Sequence, residues 1–171
     1  MAFSIDTERL SLRLRTKDDV ECNLELLRED EGGTTLSLDD VARRMVERNI
    51  QARAEGFGVL SIRRLKEANS IGYYSLIVGR ASFDEPEIAF EILPRFQGHG
   101  YATEAAGAVI DAAFATGRKK IWATVASWNA PSFLKKICSP HITEVPVKTA
   151  NLFGWFETRQ RNMTETESDS G

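Results

Sequence analysis

Cysteine is nearly absent from this chain: Cys22 and Cys138 are the only two in 171 residues. They lie far apart, with no CxxC and no histidine at ligand spacing, which argues against both a disulfide framework and a zinc site. There is no apolar run of membrane-spanning length. The opening stretch, MAFSIDTERLSLRLR, alternates polar and apolar residues and lacks the continuous apolar core of a signal peptide. Positive charge is not in excess either. With 22 Lys and Arg against 25 Asp and Glu the net charge is -3, so nucleic-acid binding driven by overall charge is not expected. No internal repeat and no Pro/Ser-rich linker divides the chain. These absences leave one reduced, cytoplasmic domain over residues 1–161, with no membrane or nucleic-acid partner. The acidic end, 162–171, is expected to be a disordered tail.

What is present reads as mixed α/β. Leu10, Leu12 and Leu14 alternate with Ser11, Arg13 and Arg15, the pattern of a half-buried strand. Thr16 to Asp19 and Ser37 to Asp40 are two capping boxes, each opening a helix. The second helix carries Val41, Met45, Val46 and Ile50 as its expected inner residues and ends near Gly56. Phe57 to Ile62 and Ile71 to Val78 read as paired strands, and Glu87 to Leu93 as a strand stopped by Pro94. A long helix is expected from Gly100 to Gly117, with Ala102, Ala105, Ala106, Val109 and Ala113 facing inward. A strand over 121–125, a short helix over 130–137 and closing strands at 145–147 and 152–156 complete the order.

The segment Glu87 to Ala106, EIAFEILPRFQGHGYATEAA, carries the chemistry. An apolar strand runs into a two-glycine turn and then into an alanine-rich helix. Such a helix start leaves backbone N–H groups unpaired at the positive end of the dipole, a cradle for phosphate or pyrophosphate. Gly98-His99-Gly100 alone is equally a turn chosen for backbone freedom. A dinucleotide fingerprint fails: its third glycine position is Thr103, and Lys119, Lys120 and Ile121 stand where its acid belongs. A phosphate-binding loop would need Gly-Lys-Ser/Thr, which is absent.

The wider pattern Arg95-Phe-Gln97-Gly98-His99-Gly100, followed by Tyr101-Ala102-Thr-Glu-Ala105, resembles the acetyl-CoA signature of the GNAT acyltransferase superfamily. Thr7-Glu-Arg-Leu10 with Leu12-Arg13-Leu14 is similar to the opening strand of its ribosomal-protein N-terminal acetyltransferase branch. Ser127-Trp-Asn129-Ala-Pro-Ser132 resembles that branch's second motif, so the likeness spans about residues 6 to 137. It implies a mostly antiparallel sheet of six to seven strands with about four helices, one splayed strand pair holding acetyl-CoA. It also implies backbone from Gln97 to Ala102 on the pyrophosphate and Ile92 and Leu93 on the pantetheine arm. A backbone N–H near Leu93 would polarise the thioester carbonyl. Arg95 belongs to the same signature, and His99 stands where a Lys or Arg is common.

Acetyl transfer to an amine needs a neutral amine and a polarised carbonyl, and gains from protonating the thiolate. Glu87 and Glu91 share one face of their strand with Ala89 and Leu93. Glu87 sits where relatives carry a general base, with Glu91 as the alternative. Asn129 would meet the pantetheine arm and Ser132 the sulfur as proton donor. The same two residues could instead cap the helix that Pro131 opens. The favoured acceptor is a protein N-terminal α-amine, with a small-molecule amine as the alternative. The segment 132–140 lacks the family's Lys-x-Gly-Phe, which keeps open a module that binds acyl-CoA without turnover. A homodimer is compatible with this reading.

Overall fold

The computed structural model describes residues 3–30, 36–78, 82–126, 142–144 and 153–159. The expected tail, the short helix over 130–137 and the strand over 145–147 lie outside them. The elements in order are β1 (Ser4–Asp6), β2 (Leu10–Leu14), α1 (Val20–Asp30), α2 (Leu38–Glu55), β3 (Val59–Arg64), β4 (Ser70–Ile77), β5 (Glu87–Ile92), α3 (Tyr101–Phe114), β6 (Lys120–Ala126), β7 (Ile142–Glu144) and β8 (Phe153–Arg159). They form one eight-stranded sheet in the order β1-β2-β3-β4-β5-β6-β8-β7, antiparallel at every junction except β5–β6. That is one strand more than the sequence suggested, because the three-residue strands β1 and β7 are too short to show an alternation.

Alternation along the strands sorts the two faces. Leu12, Ile62 and Ile92 share one cross-strand row, and Leu14, Leu60, Tyr74 and Phe90 another. Both rows pack with Ala105, Ala106, Val109, Ile110 and Ala113 of α3 into the main core. The opposite face presents the row Arg13, Ser61, Tyr73 and Glu91. There α1 sets Cys22 and Leu26 against Leu93, Tyr73 and Phe96.

Helix α2 packs mainly on α1, joining Val41 and Met45 to Val20 and Leu24. It starts at the Ser37–Asp40 box, where the Ser37 hydroxyl accepts the Asp40 N–H at 3.2 Å, and ends on Gly56 at φ +79°. Val46 and Ile50, expected inside, are 59% and 65% exposed. They lie roughly 100–180° around the helix from Val41 and Met45, and the buried stripe continues to Ala52 instead. At Gly72, opposite Ile92, a Cβ would sit 2.1 Å from the Glu91 carbonyl oxygen, so only glycine lets β4 lie this close to β5.

Candidate active site

The parallel junction opens almost as soon as it forms. Strands β5 and β6 register at Glu87–Trp122 and Ile88–Ala123, with the Trp122 N–H donating to Pro86 C=O at 2.9 Å. Beyond Ile88, β5 runs on to Ile92 without a β6 partner, while β8 holds all seven residues of β6. The closed end is clamped by side chains. Trp122 Nε1 donates to Glu85 Oε2 at 3.0 Å, and Lys120 Nζ lies 3.4 Å from Glu85 Oε1.

Backbone direction decides what the open edge offers. The Leu93 N–H donates to Ile71 C=O of β4 at 3.0 Å. Alternate residues of an antiparallel strand turn their N–H and C=O to the same neighbour. Glu91 and Ala89 therefore address β4, and Phe90 and Ile92 address the split. This corrects the assignment of Leu93: its N–H is spent inside the sheet and does not face the pantetheine path or polarise a carbonyl there. Phe90 and Ile92 present the backbone groups on the open edge. Sequence reasoning missed Phe90 because side-chain alternation does not reveal which parity faces which neighbour; that depends on register.

The split leads to the glycine turn. A 3-10 turn over Pro94–Phe96 is followed by Gly98 and Gly100 at φ +79° and +81°, conformations that side-chain-bearing residues adopt only with strain. The first helical bond of α3 runs from Glu104 N–H to Gly100 C=O. The N–H groups of Tyr101, Ala102 and Thr103 thus begin the helix without intrahelical acceptors. A Cβ built on Gly98 meets nothing within 4 Å, leaving that side of the turn open. This donor set and its clearance fit a pyrophosphate.

The side chains of the other residues expected on the cofactor have partners within the chain. The Gln97 N–H is taken by Pro94 C=O at 3.1 Å, and its side-chain amide donates to Ile92 C=O at 2.8 Å, so Gln97 braces the edge of the split. Arg95 pairs with Glu25 of α1, its Nη2 at 3.0 Å from Oε2, and ties that helix to the turn. His99 donates from Nδ1 to Gln97 C=O at 2.8 Å, since a carbonyl can only accept, and stacks on Tyr101. The Tyr101 ring also takes the Arg9 guanidinium at 4.8 Å. Ala102 packs against the core.

Sequence reasoning also missed a clasp that holds the turn. Glu104, in the first turn of α3, accepts from the Thr7 hydroxyl at 2.5 Å, the Arg9 N–H at 2.9 Å and Arg9 Nε at 2.6 Å. Arg9 Nη1 then donates to His99 C=O at 3.0 Å. Thr7 and Arg9 belong to the motif before β2, so the chain's start clamps its glycine turn 90 residues away. Desolvation pushes the Glu104 carboxyl up, but the hydrogen bonds from Thr7 and Arg9 outweigh it and hold the group below its ordinary value of 4.5. A lowered carboxylate stabilises the fold above its unfolded value and loses that effect as pH falls through the folded one. Glu104→Gln should therefore melt below the parent at pH 7, with the difference closing as pH falls from about 4.5. Thermal melts from pH 7 to pH 3 test this; a constant gap would mean the negative charge does not hold the turn.

The two candidate carboxylates sit on the α1 face, both half-buried. Glu87 faces Trp122 and Ile77 at the closed end of the split, and Glu91 lies beside Tyr73, past the last β5–β6 pair. Asn129 and Ser132 lie outside the described residues. Cys22 is buried on α1, and desolvation raises its thiol, which disfavours the nucleophilic thiolate. Among the described residues no cluster of three or more His, Cys, Asp or Glu is placed to hold a metal ion, and no helix is long and apolar enough to cross a membrane.

Comparison with known proteins places this geometry. The family model described as an acetyltransferase (GNAT) domain matches residues 9–136. No curated protein sequence matches the chain. Solved structures share its fold at low identity. An acetyltransferase from Agrobacterium tumefaciens is 21% identical with a TM-score of 0.71, covering 94% of this chain and 96% of its own. RimL, a ribosomal L7/L12 α-N-protein acetyltransferase, is 13% identical at 0.69, covering 92% and 94%. The microcin C7 self-immunity acetyltransferase MccE, solved with acetyl-CoA and AMP, is 16% identical at 0.70, covering 90% and 94%. The chain thus belongs to the GNAT acetyltransferase family and uses acetyl-CoA.

Proposed function

We propose that the enzyme transfers acetyl from acetyl-CoA directly to a primary amine, with a protein N-terminal α-amine as the favoured acceptor. The observation that carries this reading is the junction that closes at Glu87–Trp122 and opens toward the glycine turn. The N–H groups from Gly98 to Ala102 would hold the pyrophosphate at the mouth. Phe90 and Ile92 would pair with the amide-bearing arm, and the Phe90 N–H would polarise the carbonyl. Four residues of strand separate Glu91 from Glu87, about 13 Å. An arm entering from the mouth therefore carries its acyl end toward Glu87, which we assign as general base acting through water.

In the reaction the amine nitrogen bonds to the acetyl carbon and the carbon–sulfur bond breaks. The amine proton passes toward Glu87, and the thiolate takes a proton from Ser132 or solvent. Cys22, buried with a raised thiol, favours this direct route over an acyl-cysteine intermediate. Freeing an α-amine of pKa about 7.8 at pH 7 costs about 1 kcal/mol, against about 4.6 for a lysine at about 10.4. A water-relayed base thus suffices for an N-terminus. Thiol release with acetyl-CoA against N-terminal peptides, lysine-only peptides blocked at the N-terminus, and small amines tests the reading. Turnover should be highest with free N-termini. Preference for small amines would move the acceptor class, and binding of acetyl-CoA with no thiol release from any amine would leave a non-catalytic acyl-CoA module.

A further inference from the structure

Helix α2 buries one side on α1 and leaves an apolar stripe on the other. Leu38, Val46, Ile50 and Ala54 are exposed, and Ala42 is half-buried at the border with the α1–α2 core. At about 100° per residue, Ala42 and Ile50 fall within about 40° of Val46, and Asp39 and Arg53 within about 20°. Leu38 and Ala54 flank the stripe at about 80°, one on each side. Among the described residues neither Asp39 nor Arg53 has an ion-pair partner.

The order of these residues is complementary about Val46. Four residues to either side stand a small and a large apolar residue, Ala42 and Ile50. Eight residues to either side stand a large and a small one, Leu38 and Ala54. Seven residues to either side stand opposite charges, Asp39 and Arg53. A two-fold axis through Val46 would therefore set Ala42 of each copy against Ile50 of the other, Leu38 against Ala54, and Asp39 against Arg53, every pair occurring twice. Large side chains then fill the space left by small ones. The antiparallel arrangement also lays the positive N-terminal end of each helix beside the negative end of the other. Asp39 and Glu47 around the stripe balance Arg43 and Arg53, so a uniformly acidic or basic partner, or an anionic lipid surface, finds no such match.

We infer that the outer face of α2 docks a second copy of this chain, the two helices packing antiparallel with Val46 on the two-fold axis. The contact runs about 24 Å from Leu38 to Ala54. One helix pair of that length lies at the low end of interface areas, so the dimer is reversible and forms in the micromolar range. Exposed ion pairs contribute little affinity. The apolar stripe therefore supplies the attraction, and the Asp39–Arg53 pairs set direction and register. The inference is independent of the acceptor.

Sedimentation velocity of the full chain from about 1 to about 200 µM tests it. The observed mass should rise with concentration from the 19.1 kDa of one chain toward twice that value. Val46→Asp should raise the dimer Kd at least tenfold. Its melting temperature at the lowest concentration should stay near that of the parent, because the position is exposed. Asp39→Arg and Arg53→Asp should each raise the Kd about five- to tenfold, by turning both attractive pairs into repulsive ones. The double variant should recover most of the parent's affinity, which a merely destabilised helix would not do. A parent that stays monomeric throughout would overturn the inference, whether the stripe then takes vesicles containing phosphatidylglycerol or a different protein. A dimer untouched by Val46→Asp would place the interface elsewhere and overturn it as well. Failure of the double variant to recover would overturn the two-fold pairing about Val46.

Discussion

Gly100→Val is expected to abolish the stabilisation that acetyl-CoA gives the fold. A ligand at 100 times its dissociation constant adds about 2.7 kcal/mol, seen as a raised melting temperature. Gly100 is the N-cap of α3 at φ +81°, and its nearest neighbour for a Cβ is Arg9 Nη2 at 3.4 Å. Valine there meets two penalties. The left-handed backbone costs about 1–3 kcal/mol for a β-branched residue, and the branch intrudes where phosphate oxygens must approach the N–H groups. The first lowers the melting temperature of the free protein, and only the second removes the ligand-induced shift. Gly107→Ala is the control. It lies within α3 with open space around a new Cβ, so it should keep the full shift and gain about 0.5–1 kcal/mol. An intact acetyl-CoA shift in Gly100→Val would remove the glycine turn from the donor site.

Glu87→Gln should lower turnover about 10²-fold while leaving acetyl-CoA affinity nearly unchanged. Glutamine keeps the size and one acceptor oxygen of the side chain and removes its basicity. The deficit should shrink as pH rises, because more of the amine is then already neutral. Glu91→Gln is the paired measurement. Glu91 lies beside Tyr73 and nearer the mouth, so its replacement should affect the acceptor KM more than kcat. If Glu91→Gln carries the loss in kcat and Glu87→Gln is silent, the acyl end sits nearer the mouth than the assignment places it.

Local patterns accounted for much of the architecture. The Ser37–Asp40 box opens α2, Gly56 closes it, and Pro94 ends β5, each a choice made within one turn of chain. The alternation of Leu10, Leu12 and Leu14 became a buried row because period-two patterning needs no distant information. Where two readings shared one local pattern, tertiary contacts chose between them. Val46 and Ile50 fit an inner helical stripe as well as Val41 and Met45 do, until the contact with α1 selects one side. Arg95 reads as part of the glycine signature, and only the fold brings Glu25 of α1 to it.

The sequence by itself determined one contiguous unit: a strand, a glycine turn and a helix start follow one another, and the unpaired N–H groups come from covalent order and helix geometry. Only the tertiary structure decided the rest. Register sets which backbone parity faces the split, so it replaced Leu93 with Phe90 on the open edge. The parallel pairing ends after Ile88, which sets Glu87 at the closed end of the split and Glu91 past the last pair. Thr7 and Arg9 reach Glu104 across nearly a hundred residues, and Asn49 of α2 bonds the Arg15 carbonyl. Charges far apart in sequence become a site only when packing removes the water between them. Burial, which no local pattern encodes, is therefore legible in three dimensions alone.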